Sequence, residues 1–268
     1  MVASANAPEA RPAAVAGLFY PARSAELAAA VDDLLQGPSP SARAPKALIV
    51  PHAGYVYSGR VAGRAFRALK PAAVQIRRVV LIGPSHREWF RGLAVPRAQG
   101  FQTPLGMVPI DRDGLAQLAG AVALQVSDAV HAREHSLEVQ LPFVQRLLPA
   151  ARIVPILVGD ATPDLVDAAI EAVWGGAETV IIVSSDLSHY HSHDEARDHD
   201  AATARAILDG RGGLTGEDAC GCIAVDGLLG AVRRHGLHAE LIDLRTSGDT
   251  AGDRDRVVGY GAFGFYDA

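Results

Sequence analysis

The chain has 268 residues, of which 49% are hydrophobic and 21% are charged, and its formal net charge is −5. This length and apolar content suffice for a large buried core, and we expect a single domain spanning residues 1–268. A slightly acidic balance without long runs of like charge argues against nucleic acid or a membrane surface as a partner.

Strand and helix patterns alternate along the chain. Residues 1–14 are rich in alanine and proline, and we expect a loose N-terminal segment there. Short apolar runs predict buried strands at residues 47–50, 79–82, 93–95, 153–158, 179–183 and 240–244. Apolar residues at helical spacing predict helices at residues 25–35, 58–69, 114–119, 138–148, 163–174, 195–208 and 223–235. The alternation predicts a three-layer α/β/α sandwich with a mostly parallel central sheet. Residues 257–265 suggest a closing strand, with an antiparallel direction as one option.

The cysteines and the start of the chain bear on its compartment. Cys220 and Cys222 stand too close in sequence to bridge each other well, which excludes a disulfide framework. No apolar run approaches the roughly 20 residues of a membrane helix. The first residues lack the charged and apolar regions of a signal peptide. We therefore expect a cytoplasmic protein with free thiols and no membrane partner.

Polar residues follow three of the predicted strands. His52 comes just after the first strand, His86 after the second, and Asp186 with His189 after the fifth. In open α/β sheets the ligand crevice lies at the carboxyl ends of the strands, so these side chains can meet there. A lone histidine near a strand end more often has a structural role. A second histidine in the same position after the next strand favours a ligand role as much as a structural one. For Asp186, capping of a helix is one option, and orientation of a ligand imidazole is the role that we prefer.

Cys220 stands just before a helix that is predicted to begin near residue 223. The positive end of a helix dipole should favour the thiolate, which is the metal-binding form of cysteine. From the residue type alone, a small buried hydrophobic side chain is the better explanation.

His135 lies in the polar run Glu134-His135-Ser136-Leu137-Glu138, ahead of a predicted helix. One interpretation is a capping arrangement at the helix start. The other is a site residue that holds substrate or transfers protons. The sequence supports the two interpretations equally.

The histidine-rich run from His189 to His193 does not predict a separate metal site. Its residue order differs from the metal-binding motif of the metallo-β-lactamases, and the run leads directly into a helix. We therefore expect His191 and His193 to be solvated.

Five motifs in a fixed order make the chain resemble one known family. They are Pro51-His52-Ala53-Gly54-Tyr55, Gly83-Pro84-Ser85-His86, Glu134-His135-Ser136-Leu137-Glu138, Ser184-Ser185-Asp186-Leu187-Ser188-His189 and Cys220-Gly221. The chain resembles the Memo family, also called AmmeMemoRadiSam system protein B in bacteria, from about Gly17 nearly to its C-terminus. The resemblance implies a fold like that of the class III extradiol dioxygenases, which use non-haem iron(II).

The same resemblance implies a set of site residues. The metal ligands would be His52, His86 and Cys220, and the catalytic residues would be His189 and Asp186, assisted by His135. Where the dioxygenases complete the site with a carboxylate, this chain offers a thiolate, which suits Cu(I) as well as iron. The implied cofactor is iron(II) or copper, with zinc as a further option.

The resemblance predicts a mononuclear metal-binding redox protein. Its enzymatic form would be an oxygen-dependent, dioxygenase-like oxidoreductase acting on a small molecule that the sequence does not identify. Two alternatives stay open: a non-catalytic scaffold that binds a peptide or protein partner, and a zinc-dependent hydrolase that uses the same site.

Overall fold

The computed structural model describes residues 9–267 of the chain. The strands in this part are β1 (Ala47–Val50), β2 (Arg78–Pro84), β3 (Leu93–Val95), β4 (Gly100–Thr103), β5 (Gly106–Pro109), β6 (Leu124–Val126), β7 (Arg152–Val158), β8 (Thr179–Ser184), β9 (His189–His191), β10 (His238–Thr246) and β11 (Val257–Tyr266). The helices are α1 (Ser24–Leu34), α2 (Tyr55–Arg67), α3 (Arg112–Ala121), α4 (Asp128–Ala132), α5 (Leu141–Leu147), α6 (Pro163–Ala172), α7 (His193–Leu208) and α8 (Cys222–His235). Within residues 9–267, no helix has both the length and the apolar character needed to cross a bilayer.

A nine-stranded sheet forms the middle layer, in the order β10-β11-β1-β8-β2-β7-β3-β6, with β9 paired to β11. Its centre is parallel, because β1, β8, β2 and β7 all run in one direction. The closing strand β11 is antiparallel to β1 and to β10. Helices α1, α2 and α5 pack together in one outer layer, and α3, α6 and α8 pack in the other. The predicted three-layer α/β/α sandwich is confirmed.

The central parallel strands are almost entirely buried. Every residue of β1 and of β8 is buried, and in β2 and β7 every residue after the first is buried. Parallel strands covered by helices on both faces carry continuous apolar runs, which is the pattern that made them visible in the sequence. Each buried valine, leucine or isoleucine of these strands contributes about 1.5–3 kcal/mol to stability.

Three of these strands end at the same edge of the sheet. Val50 at the end of β1 is level with Ser184 at the end of β8, and Ile82 in β2 is level with Val183 in β8. The chain therefore leaves the sheet at one edge just before His52, His86 and Asp186. This carboxyl edge is where α/β sheets form their ligand crevice.

Several short elements were not predicted. They are the β4–β5 hairpin, β6, α4 and β9. Elements of three to five residues are too short to display a hydrophobic period. The helix predicted from residue 138 begins instead as a 3-10 turn, Glu138–Gln140, before α5.

The structure describes only part of the predicted loose N-terminal segment, residues 9–14. Residues 1–8 of the predicted loose segment lie outside the described residues. Residues 9–14 are held more firmly than we predicted, because Arg11 is only 3% exposed and pairs with the buried carboxylate of Glu138. Glu138 also accepts a hydrogen bond of 2.8 Å from the backbone N–H of Ala14. A buried charge pair supported by further hydrogen bonds fixes this part of the segment to the 3-10 turn.

Candidate metal centre

The histidines that follow separate strands meet at the carboxyl edge of the sheet. The ring centroids of His52 and His86 lie 5.1 Å apart, and that of His135 lies 4.8 Å from His86 and 5.5 Å from His52. The sulfur of Cys220 lies 3.4 Å from Nε2 of His52. The donor atoms of His52, His86 and Cys220 all lie within 4.8 Å of one another. The structure thus brings together the three residues expected to form a metal-binding group.

The spacing of these atoms fits coordination of a single ion. A sulfur at ~2.3 Å and an imidazole nitrogen at ~2.1 Å from one tetrahedral ion stand roughly 3.6 Å apart. The observed gap between Cys220 Sγ and His52 Nε2 is 3.4 Å. Two imidazoles and one sulfur are ligands that iron, copper and zinc all accept. Three protein ligands would also leave at least one coordination position for water or substrate.

His52 is held from two sides. Its backbone N–H donates a hydrogen bond of 2.7 Å to Asp186 Oδ1, and its ring Nδ1 lies 2.9 Å from Ser184 Oγ. Burial lowers the pKa of His52 well below its usual value, and the neighbouring His86 and His135 lower it further. The ring is therefore neutral, which is the form that binds a metal.

His86 is held by a buried carboxylate. Glu134 Oε1 lies 2.9 Å from Nδ1 of His86, and Glu134 Oε2 accepts a hydrogen bond of 2.5 Å from its backbone N–H. Burial alone would raise the pKa of Glu134, but the hydrogen bonds from His86 and from the backbone of Ser136 lower it far below its usual value. An ionised carboxylate can only accept, so Nδ1 of His86 carries the proton. Nε2 keeps its lone pair for an ion.

A second group of potential ligands shares His86 and is less suitable for a metal. His86, Glu134 and His135 also lie close enough to hold an ion. However, Glu134 Oε1 already faces the Nδ1 of His86 and accepts hydrogen bonds from the backbone N–H groups of His135 and Ser136. An oxygen with three donors around it has no lone pair left for a cation. The group that contains Cys220 is therefore the candidate metal centre.

Cys220 is a thiol in the metal-free chain. Burial raises its pKa to about 12, and the charge of Asp186 adds to this effect. Our expectation that a helix N-terminus favours the thiolate is therefore wrong for the metal-free chain. The helix α8 begins only at Cys222, and burial outweighs its dipole. A cation would supply the opposite charge that a buried thiolate needs.

Asp186 lies behind His52 and contacts its main chain. Asp186 is only 5% exposed. Its carboxylate accepts a hydrogen bond from the backbone N–H of His52 and not from a ring N–H. Burial raises the pKa of Asp186 to about 7, partly opposed by hydrogen bonds from the backbone of His52 and Ala53. The described hydrogen bonds of Asp186 do not include the imidazole that we expected it to orient, and Ser184 lies against the ring nitrogen instead.

His135 packs between an aromatic ring and a candidate ligand. Its ring centroid lies 4.7 Å from that of Phe19 and is stacked on His86. Burial lowers the pKa of His135 to about 4. Its Nδ1 is buried and lies 3.3 Å from Oε1 of Glu134 without forming a hydrogen bond to it. A neutral imidazole can exchange a proton with a bound molecule.

His189 begins strand β9 at the rim of the same cluster. It lies near enough to His52 and His86 to influence or respond to their charges. Burial lowers the pKa of His189 below its usual value. The next residue, Tyr190, has a φ of 66°, and it is the one non-glycine residue in the described chain with a positive φ. Such a backbone conformation persists only where its surroundings enforce it, so the orientation of this segment is fixed.

The rest of the histidine-rich run belongs to the packing of the fold. His193 is 6% exposed, and its Nδ1 lies 2.8 Å from Thr246 Oγ1. The expectation that His193 is solvated is therefore wrong, because α7 packs against β10 and β11. Neither His191 nor His193 belongs to a metal-binding group found in residues 9–267.

Two residues that hold the rings were not singled out in the sequence. Glu134 and Ser184 were part of quoted motifs, but neither was assigned a partner. Their residue type was the one feature of the sequence that could have identified them. A ligand histidine usually has a carboxylate or hydroxyl as the partner of its second ring nitrogen.

Comparisons with known proteins find similar chains over nearly the whole length of this one. A family model described as Memo-like protein matches residues 11–263. A MEMO1 family protein of Caldivirga maquilingensis is 36% identical, over 96% of this chain and 99% of its own length. MEMO1 family proteins of Nitrosopumilus maritimus and Aquifex aeolicus are 31% and 34% identical, over 94% and 93% of this chain and 98% and 97% of their own lengths.

Gly221 directly follows Cys220. Because it has no side chain, its backbone lies close against Ser184 and Ser185 at the end of β8. A Cβ on Gly221 would lie 2.8 Å from both Cβ and Oγ of Ser185. We predict that Gly221→Ala lowers the free energy of unfolding by about 1–3 kcal/mol, because backbone or side chains must shift to relieve this overlap. Urea denaturation of the metal-free protein measures the change.

Gly216→Ala is the matched control, since a Cβ there meets no atom within 4 Å. It should change stability by less than about 1 kcal/mol. Equal stability of the two variants would show that the space around Gly221 does not constrain the segment that carries Cys220.

Proposed function

The chain belongs to the family of Memo-like proteins, and on that premise we propose that it is a mononuclear metal-binding redox protein. In this proposal His52, His86 and Cys220 bind one iron or copper ion. The observation that carries it is the convergence of their donor atoms within 4.8 Å, with a sulfur-to-nitrogen gap of 3.4 Å.

The chemistry of the ligands supports a redox metal. A thiolate is a soft ligand that stabilises copper, and thiolates and imidazoles both bind iron. A bound iron or copper ion would supply one-electron redox chemistry and a coordination position for oxygen or a small substrate. Zinc accepts the same ligands, so a zinc-dependent hydrolase is the second candidate function.

The surrounding residues suit the handling of protons. His135 is neutral, so it would accept a hydrogen bond from a bound molecule or pass a proton to it. His189 lies at the rim of the same cluster and would exchange protons there. Asp186 would keep the backbone of His52 in place through its hydrogen bond of 2.7 Å. We assign catalytic roles to His135 and His189 and a positioning role to Asp186.

Two further points remain proposals. The free thiols of Cys220 and Cys222 suit a reducing compartment, which supports a cytoplasmic location. The buried apolar residues form one continuous cluster, which supports a single domain.

The metal content of the purified protein tests the ligand assignment. Protein prepared without a metal-chelating tag should hold close to one iron or copper ion per chain. We predict that His52→Ala and Cys220→Ser each weaken metal binding by at least about 100-fold, because each removes one of three ligands. Elemental analysis and competition with a chelator measure this.

Cys222→Ser is the control, because Cys222 lies outside the metal-binding group. It should retain the metal of the parent protein. The ligand assignment is wrong if His52→Ala and Cys220→Ser bind as much iron or copper as the parent.

Oxygen uptake by the metal-loaded protein, with ascorbate as the electron donor, tests the redox role. We predict uptake above that of the free metal and a loss of roughly 100-fold in His189→Gln at unchanged metal content, because proton transfer by a positioned side chain contributes about 10²–10⁴-fold. His191→Gln, in the same strand and outside the metal-binding group, should retain the activity.

Other outcomes would identify the alternatives. A non-catalytic scaffold would show no uptake above that of free metal. A zinc hydrolase would show activity that is indifferent to oxygen and to reductant.

A further inference from the structure

We propose that Ser184 is a positioning residue that sets the tautomer of His52, with the ring proton on Nδ1 and the lone pair on Nε2. The lone pair of Nε2 then faces the sulfur of Cys220. The inference rests on the proposed function only for the use of that lone pair as a metal ligand. The tautomer itself follows from protein atoms alone.

The hydroxyl of Ser184 has three close partners. Ser184 is fully buried at the end of β8. Its Oγ lies 2.6 Å from the carbonyl oxygen of Ser136, 2.9 Å from Nε2 of Gln140 and 2.9 Å from Nδ1 of His52. A serine hydroxyl has one proton to donate and two lone pairs to accept with. Three partners therefore occupy the one proton and both lone pairs of this hydroxyl.

The first two partners settle where the hydroxyl proton points. The carbonyl oxygen of Ser136 can only accept, so Ser184 donates its proton there. Gln140 also lies 2.9 Å from the carbonyl oxygen of Pro51, which again can only accept. The amide nitrogen of Gln140 must therefore face the carbonyl oxygen of Pro51 and the hydroxyl of Ser184. In this orientation Oε1 of Gln140 has no hydrogen-bond partner among the described residues. Gln140 donates to Ser184.

The third partner then has to be a donor. With its proton committed to Ser136, Ser184 has one lone pair left for the ring of His52. If Nδ1 of His52 carried a lone pair, two lone pairs would face each other at 2.9 Å in a buried site. Nδ1–H avoids this repulsion. It also leaves Nε2 free to accept the S–H of Cys220 in the metal-free chain, across 3.4 Å.

One short loop controls both candidate ligand rings. Glu134 accepts the Nδ1–H of His86 directly, and two residues later Ser136 directs the hydroxyl that accepts the Nδ1–H of His52. Both rings thus present Nε2 to the ion. Their partners differ, since His86 faces a carboxylate and His52 a neutral hydroxyl, so His86 should be the more basic ligand.

Nuclear magnetic resonance of the metal-free protein with ¹⁵N-labelled histidine tests this inference. Correlation of ring protons with both ring nitrogens distinguishes a protonated nitrogen from one with a lone pair, and the His52→Gln variant assigns the signals. We expect Nδ1 of His52 to be protonated in the parent. In Ser184→Ala the acceptor is gone, and we expect the Nε2–H tautomer to become the major one and the affinity for added Co²⁺ to fall about 10–100-fold.

Ser188→Ala is the matched control, because Ser188 is equally buried in the following loop, while the hydroxyl beside Nδ1 of His52 is that of Ser184. It should leave the His52 signals unchanged. Ser184→Thr restores a hydroxyl and should restore the Nδ1–H tautomer. If Ser184→Ala does not fold, the parent spectrum and Ser184→Thr still decide the question.

The inference is overturned if the parent carries its proton on Nε2 of His52. It is also overturned if Ser184→Ala keeps both the Nδ1–H tautomer and the Co²⁺ affinity of the parent. A parent protein with the expected tautomer but no affinity for metal would contradict the proposed function and leave the assignment of Ser184 intact.

Discussion

The hydrogen bonds behind the two ligand rings are the constraint on which the candidate centre depends. A histidine side chain can rotate and can carry its proton on either nitrogen, so proximity alone does not make a ligand. Glu134 and Ser184 remove this freedom by engaging the Nδ1 atoms of His86 and His52 at 2.9 Å each. The donor atoms of both histidines lie within 4.8 Å of the sulfur of Cys220, which comes from the segment just before α8.

Burial of so many polar groups is tolerable because nearly all of them are paired. A buried carboxylate without partners costs several kcal/mol, whereas one that accepts hydrogen bonds from backbone N–H groups is stable as an anion. Glu134 accepts from three backbone amides as well as from His86. One exception in the cluster is Oε1 of Gln140, which has no partner in the described chain. The thiol of Cys220 stays protonated, and its thiolate would gain an opposite charge when an ion binds.

Much of the fold and part of the centre could be predicted from sequence. The central parallel strands are almost entirely buried, so they read as apolar runs in the sequence. The edge at which they end locates His52 and His86 without any structure. The partners of these rings could not be predicted in the same way. Glu134 lies 48 positions from His86, and Ser184 lies 132 positions from His52. The protonation state of Cys220 also depends on burial, which the local sequence does not reveal.

X-ray absorption at the metal edge of the iron- or copper-loaded protein tests most directly whether His52, His86 and Cys220 share one ion. The arrangement of these residues predicts one sulfur at roughly 2.3 Å and two imidazole nitrogens at roughly 2.0–2.1 Å, with the sulfur signal absent in Cys220→Ser. A bound ion surrounded only by nitrogen and oxygen in the parent protein would contradict it.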